Sequence, residues 1–423
     1  MQALLSYDQS PPFAAPLRFF LSAPLFGVLA GLLAIADGPA LFASRWTPAA
    51  LAATHLLTAG FMLQIMIGAL IQVLPVVAGA NLAQPLRTAR RVHPPLTLGA
   101  LLLAGGFLSG TPWLLQGGAL LLAAGCILFL HDAGRALRGV PSTSPTIRGL
   151  KLACGGLLAT VALGLLLAFA LAGGWALPLS ELADLHAAWG LAGWAGVLLI
   201  AVAYVVVPMF QLTPGYAARP SWWLPPFIVG ALLTWSAALA VDLPWLRIFA
   251  QAALVVAGSA FAGWTLALQR RRRRAKPDVT LRYWQLGLLT AMLALATWSA
   301  GAFLRDPDPR TALLFGVCFL LGGVLACIVG MLYKIVPFLA WLHLQPLGRG
   351  APPMNRLLTD QAARRQAGAF FVACALSTAA VFLPDWLARP AGLAFTLASA
   401  GLLWNLAQAV RRHHAHRRAK LGA

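Results

Sequence analysis

Long apolar blocks, separated by short breaks rich in polar residues, proline or glycine, dominate the chain. The blocks run for roughly 18 to 30 residues without amphipathic spacing, which is typical of helices that cross a bilayer. We therefore predict an all-α, polytopic membrane protein with about twelve transmembrane helices. The predicted spans cover residues 16–36, 50–78, 95–110, 113–132, 150–175, 183–210, 222–240, 245–269, 281–304, 311–342, 366–384 and 388–410.

Composition and charge agree with this pattern. Of 423 residues, 60% are hydrophobic and 10% are charged. With twelve spans, most of the 31 Lys and Arg residues lie on the side that holds both chain ends. The positive-inside rule then predicts a bacterial-type inner (plasma) membrane protein with both termini in the cytoplasm.

The net charge of +20 does not predict a nucleic-acid partner. The basic runs 270–276 and 411–420 follow directly after predicted spans, where they fit anionic lipid headgroups, so the lipid bilayer is the predicted partner. The five cysteines all fall inside predicted spans without a CxxC motif. Neither a disulfide framework nor a thiolate metal site is indicated.

Three spans end alike, in "ALIQVLPVV", "VAYVVVPMF" and "GMLYKIVPFL". Their prolines, Pro75, Pro208 and Pro337, are 133 and 129 residues apart and lie on the second, sixth and tenth predicted spans. A repeated unit of four spans follows, and an even number makes the repeats parallel. Within one membrane domain, 1–423, we predict three four-helix arcs around a pseudo-threefold axis. They cover about 16–133, 148–270 and 280–411, before a basic cytoplasmic tail, 411–423.

Two histidines lie inside apolar spans at similar depths. His55 precedes its closing proline by 20 residues, and His186 precedes its own by 22. An ionisable side chain is costly in lipid, so a functional role is the default hypothesis. Neutral imidazoles are ligands for haem iron or copper. In the alternative, each ring only hydrogen-bonds a neighbouring helix or an interfacial water.

Four further residues extend the candidate cofactor site. On an α-helix, Met62 and Met66 fall within about 20° of the His55 direction, and a thioether is a ligand for haem or Cu(I), although packing is the more common role. Tyr204 shares the His186 face, beside small glycines. Lys334 is the basic residue inside a span; it either snorkels to the cytoplasm or serves proton entry or a haem propionate.

These features together resemble the haem-copper oxidase subunit I superfamily. The resemblance rests on twelve spans in three arcs, on "HLLTAGFMLQIMIGALIQVLP" in span two, and on a histidine near the outer end of span six. By that resemblance, His55 would be an axial ligand of haem b and His186 would bind copper. The family places further histidines on spans seven and ten, and this chain has none there before Pro337.

The chain is therefore more similar to the divergent, oxidase-like proteins of the NnrS type, which carry haem and copper and are linked to nitric oxide. This resemblance implies a haem-binding membrane protein in nitric oxide response or respiratory electron transfer, with a respiratory-chain or oxidase subunit as a candidate partner. Because the histidines of spans seven and ten are missing, a complete oxygen-reducing oxidase is excluded, and whether the chain is an enzyme is left open. The alternative is a copper transport or oxidase assembly protein without haem.

Overall fold

The computed structural model describes residues 6–274, 276–303, 308–347 and 351–421. Residues 422 and 423 of the predicted tail lie outside the described residues. Within these ranges no β-strand occurs, and twelve long helices follow the order of the predicted spans. They are α1 (Ala14–Asp37), α2 (Pro48–Ala78), α3 (Pro85–Ser109), α4 (Pro112–Arg138), α5 (Pro145–Gly173), α6 (Leu179–Gln211), α7 (Ala218–Ala240), α8 (Pro244–Arg270), α9 (Val279–Phe303), α10 (Pro309–Leu342), α11 (Asp360–Ala380) and α12 (Pro384–Leu421).

Eleven of the described helices are long and apolar enough to cross a membrane. A multi-pass, all-helical membrane protein is thereby confirmed. The exception is α11, which occupies the place of the predicted span 366–384. Its first two turns carry Asp360, Arg364 and Arg365, so its apolar part is shorter than the roughly 20 residues that a bilayer core requires. The three oxidase-like arcs remain a prediction.

The helices α2, α6 and α10 each contain a π-helical segment, a rare feature that is frequent at functional sites. The segments are Leu56–Met62, Trp189–Gly196 and Val317–Leu325. They begin 19, 19 and 20 residues before the prolines that suggested the repeat. The repeated position supports the proposed equivalence of these three helices.

Each π segment is also approached closely by the preceding helix. A Cβ at Gly60 in α2 would clash with the ring of Phe26 in α1. A Cβ at Gly156 in α5 would clash with the carbonyl oxygen of Gly193 in α6. A Cβ at Gly322 in α10 would lie 2.9 Å from the Thr290 hydroxyl in α9. Small residues thus let neighbouring helices approach where the helical geometry changes.

The three helices with π segments are also the most enclosed of the candidate spans. In their most apolar windows, 83% of α2, 67% of α10 and 50% of α6 are buried, against at most 44% for the other candidate spans. Side chains on these three helices are therefore enclosed by protein more often than those on the other candidate spans. After Pro75, α2 ends at Ala78, and the next residue, Gly79, has a φ of +65° that suits glycine. The Ala80 amide donates to the Leu74 carbonyl at 2.9 Å.

The chain forms two compact units, and the division runs through α2 and α9. It does not coincide with the predicted repeat boundaries, which remain a prediction. His55 lies in unit 2 and His186 in unit 1, and each is described within its own unit. Unit 1 comprises the described parts of Met1–Pro11, Ala69–Ala275 and Ala291–Pro307; unit 2 comprises those of Pro12–Gly68, Lys276–Thr290 and Asp308–Ala423.

Candidate functional site

His55 is the last α-helical residue of α2 before the π segment. The side chain is half-buried, and its Nδ1 lies 2.8 Å from the Leu51 carbonyl oxygen one turn earlier. A carbonyl only accepts, so Nδ1 carries the proton and donates. In the neutral ring, the acceptor lone pair is then on Nε2. A metal-ligating histidine is often oriented in this way, with one nitrogen held by a backbone carbonyl. His343 and His416 make the same bond to the carbonyl four residues earlier, so the bond by itself does not identify a ligand.

The π segment changes the expected relation between His55 and the two methionines. The alignment of Met62 and Met66 with His55 assumed an uninterrupted α-helix. A π segment takes up about one extra residue, which rotates the side chains beyond it by about 100°. Met62 and Met66 are 3% and 6% exposed and belong to the apolar core. The common face is therefore not kept, and the sulfur ligands remain a prediction without geometric support.

His186 is held by a neighbouring helix. Its Nδ1 donates to the Thr160 carbonyl oxygen of α5 at 3.1 Å, and a Cβ at Gly164 would lie 3.0 Å from its Cε1. The hydrogen bond to a neighbouring helix, which was the alternative to ligation, is thus present. The same bond also places the acceptor lone pair on Nε2, so a ligand role remains compatible with the ring.

Tyr204 belongs to an aromatic cluster in unit 1. Its ring centroid lies 5.1 Å from that of Tyr216, in an edge-to-face contact, and Tyr216 meets Trp264 at 5.0 Å. The π segment Trp189–Gly196 separates Tyr204 from His186, so the face that an α-helix would give them in common is rotated here as well. The Tyr204 ring thus contributes to packing between α6 and its neighbours, and its cofactor role remains a prediction.

Lys334 forms an ion pair that sequence reasoning missed. Its ammonium lies 2.8 Å from the carboxylate of Asp278, and the two side chains are 26% and 16% exposed. The other Asp278 oxygen accepts from the Leu281 amide at 2.9 Å and so caps α9. Asp278 directly precedes a predicted span and follows a basic run, which made it look like an ordinary boundary residue. Its pairing became visible only in three dimensions.

A largely buried polar cluster in unit 2 includes Tyr333, which precedes Lys334 in the chain. The Tyr283 hydroxyl donates to the Gln366 side chain at 2.5 Å, and Gln366 donates to the Ala398 carbonyl at 3.0 Å. The Asn405 amide donates to the Tyr333 hydroxyl at 3.0 Å. These bonds join α9, α10, α11 and α12. Polar residues inside apolar spans were the available signal, although nothing in the sequence paired them.

His343, at the end of α10, and His413, in α12, pack against the same ring in unit 2. His413 is 3% exposed, and its Nδ1 donates to the Ala340 carbonyl at 2.9 Å. The rings of His413 and His343 pack on Phe13 at 5.0 and 5.6 Å. In the part of the chain that the structure describes, no group of three or more His, Cys, Asp or Glu side chains is arranged to hold a metal ion.

An apolar cavity of about 160 Å³ lies beside His55 in unit 2. On α2 it is lined by Ala50, Ala53, Thr54 and Leu57, which form one helical face. His55 is not in the lining, because it follows Thr54 by one residue and points about 100° away. The cavity and the histidine therefore occupy adjacent faces of the same helix.

No protein-family model matches the chain, and no curated protein matches it. The resemblance to oxidase-like proteins therefore remains a prediction based on the repeat and the histidines.

Proposed function

We propose that this protein binds haem in the membrane through His55, on an oxidase-like scaffold that serves nitric oxide response or respiratory electron transfer. The observation that carries the proposal is the Nδ1 bond of the half-buried His55 to the Leu51 carbonyl, which leaves the acceptor lone pair on Nε2, the atom that would ligate iron. The π segment that begins at the next residue supports it, because such segments are frequent at functional sites.

The donor chemistry fits one axial ligand of a haem better than a copper site. A neutral imidazole on a half-buried helix face is a common proximal ligand for haem iron. A closed copper site requires several donors together, and the described residues hold no such group. Copper at His186 remains a second proposal, which rests on the ring orientation set by Thr160.

Haem held by His55 would supply an iron centre that binds a diatomic ligand or transfers electrons. What the chain itself contributes is an oriented imidazole, a largely apolar surround and exclusion of bulk water. The link to nitric oxide rests on the family resemblance alone. A complete oxygen-reducing centre is not proposed, because the histidines expected on spans seven and ten are absent from the sequence.

The test is a visible spectrum of the full chain, purified from haem-replete cells. We expect a Soret band in the wild type, its loss in His55→Ala, and its retention in His131→Ala, which removes an exposed histidine from α4. Size-exclusion elution would show that the variants fold. A colourless wild type, or an unchanged band in His55→Ala, would overturn the proposal.

Metal analysis of the same samples distinguishes haem binding from the alternative function, copper transport or oxidase assembly without haem. Copper without iron, lost in His55→Ala or His186→Ala, would favour copper transport or oxidase assembly. If His186 binds copper, His186→Ala should remove copper from the samples. If it only bonds α5, the spectrum and metal content should stay the same.

A further inference from the structure

The cavity beside His55 remains open because small residues build it. Ala30 and Gly31 of α1, Ala53 of α2, Gly316 of α10 and Gly392 of α12 all contribute to its wall. Its volume of about 160 Å³ resembles that of engineered apolar cavities of about 150 Å³, which stay dry and accept apolar ligands. An apolar guest is therefore the chemistry that this space admits.

Tight helix packing prevents the walls from closing. A Cβ at Gly31 would lie 2.8 Å from the Gly392 carbonyl oxygen, and a Cβ at Gly392 would lie 2.8 Å from the Gly31 carbonyl oxygen. The backbones of α1 and α12 are thus already in contact beside the cavity. Neither helix can move inward to fill the space without a clash.

Positive charge lies at the same end of unit 2 as the cavity. Arg45, in the loop before α2, is part of the lining, and its guanidinium also lies 4.5 Å from the Trp46 ring centroid. The Arg389 guanidinium packs against Gly38, at 3.3 Å from where a Cβ would lie. Arg389 is two residues from the lining residue Ala391. An apolar space with arginine at its margin is complementary to a chain that carries an anionic head.

We propose that this cavity receives a segment, about as large as benzene, of one acyl chain of an anionic phospholipid, whose headgroup is held by Arg45. Trp46 beside Arg45 fits an interfacial position, because tryptophan is enriched at the headgroup level of membranes. The small-residue walls receive the chain, and the arginine selects the headgroup. This site is distinct from the proposed haem ligand, because His55 faces away from the cavity.

The test uses photoactivatable lipids. The full chain is reconstituted in phosphatidylcholine vesicles that contain a trace of phosphatidylglycerol or phosphatidylcholine with a diazirine in the acyl chain. After illumination, labelled peptides are mapped by mass spectrometry. We expect peptides that line the cavity to be labelled about fivefold more by phosphatidylglycerol, the ratio expected for one basic residue near an anionic lipid.

Two pairs of variants separate the chain from the headgroup. Ala53→Phe should abolish labelling of the cavity by both lipids, whereas Ala36→Phe, at an exposed position of α1, should not. Arg45→Gln should remove the preference for phosphatidylglycerol, whereas Arg135→Gln, at an exposed position of α4 outside the lining, should keep it. Equal labelling by both lipids in the wild type, or cavity labelling that survives Ala53→Phe, would overturn the proposal.

Discussion

The bond between Tyr283 and Gln366 offers the sharpest test of the buried polar cluster. Tyr283 is fully buried and Gln366 is 5% exposed, so Tyr283→Phe leaves the Gln366 oxygen without its donor and without access to water. In water-soluble proteins such a loss costs about 1–3 kcal/mol. Hydrogen bonds between membrane helices average only about 0.6 kcal/mol, with a maximum near 1.7. We expect a loss of about 1–2 kcal/mol, because the oxygen is fully enclosed.

A second tyrosine in the same cluster provides the comparison. Tyr333→Phe removes the acceptor of Asn405, but the Asn405 amide also donates to the Ala362 carbonyl at 3.2 Å. Since that bond remains and Asn405 is only half-buried, this change should cost less than about 1 kcal/mol. Both changes replace a tyrosine by phenylalanine, so a difference in lost stability between them would come from their contacts and not from the residue type.

The assay is unfolding of the purified chain by SDS in mixed micelles, followed by tryptophan fluorescence. The double variant Tyr283→Phe/Gln366→Leu should be less destabilised than the sum of its two single changes, because the bond can be lost only once. Additive losses, or a larger loss for Tyr333→Phe than for Tyr283→Phe, would refute the assignment of this bond.

Three further predictions test other parts of the structure. Asp278→Asn should destabilise the protein by about 1–3 kcal/mol, because the partly buried Lys334 ammonium loses the carboxylate it is paired with. In the same SDS assay, the additional change Lys334→Met should restore most of the lost stability. Gly156→Val should cost at least about 1–3 kcal/mol more than Gly155→Val, since only the former clashes with a carbonyl of α6; equal losses would contradict this packing. Of the five free thiols, Cys154 should react first with maleimide in detergent, because the other four are buried; mass spectrometry identifies the labelled site.

The length of the helices shows where hydropathy suffices and where it does not. The span predicted at 245–269 is almost the observed Pro244–Arg270. The span predicted at 388–410 is part of a helix that continues to Leu421, through the basic tail. Apolar length predicts where lipid surrounds a chain, but backbone hydrogen bonding continues into water wherever the residues still favour a helix. The span predicted for α11, 366–384, begins after Asp360, Arg364 and Arg365. The prediction therefore missed that the first two turns of this helix are charged.

The candidate site was predictable in part. His55 and His186 stood out because histidine is rare in apolar runs, and the prolines related their helices. The π segments were not predicted, because their hydrogen-bond pattern depends on the packing of glycines against the preceding helix. For this reason the structure does not support the prediction that His55, Met62 and Met66 share one helix face, although each residue lies on the expected helix.

The sequence by itself determined that this is a helical membrane protein. Polar groups are costly in lipid, so a membrane span must be a long run of apolar residues, and such runs are visible in the sequence. It also determined which few polar residues required an explanation. Only the tertiary structure decided their partners: Leu51 for His55, Thr160 for His186 and Asp278 for Lys334. The last two pairs join residues far apart in the chain, and such pairing depends on how the helices pack, which hydropathy does not encode.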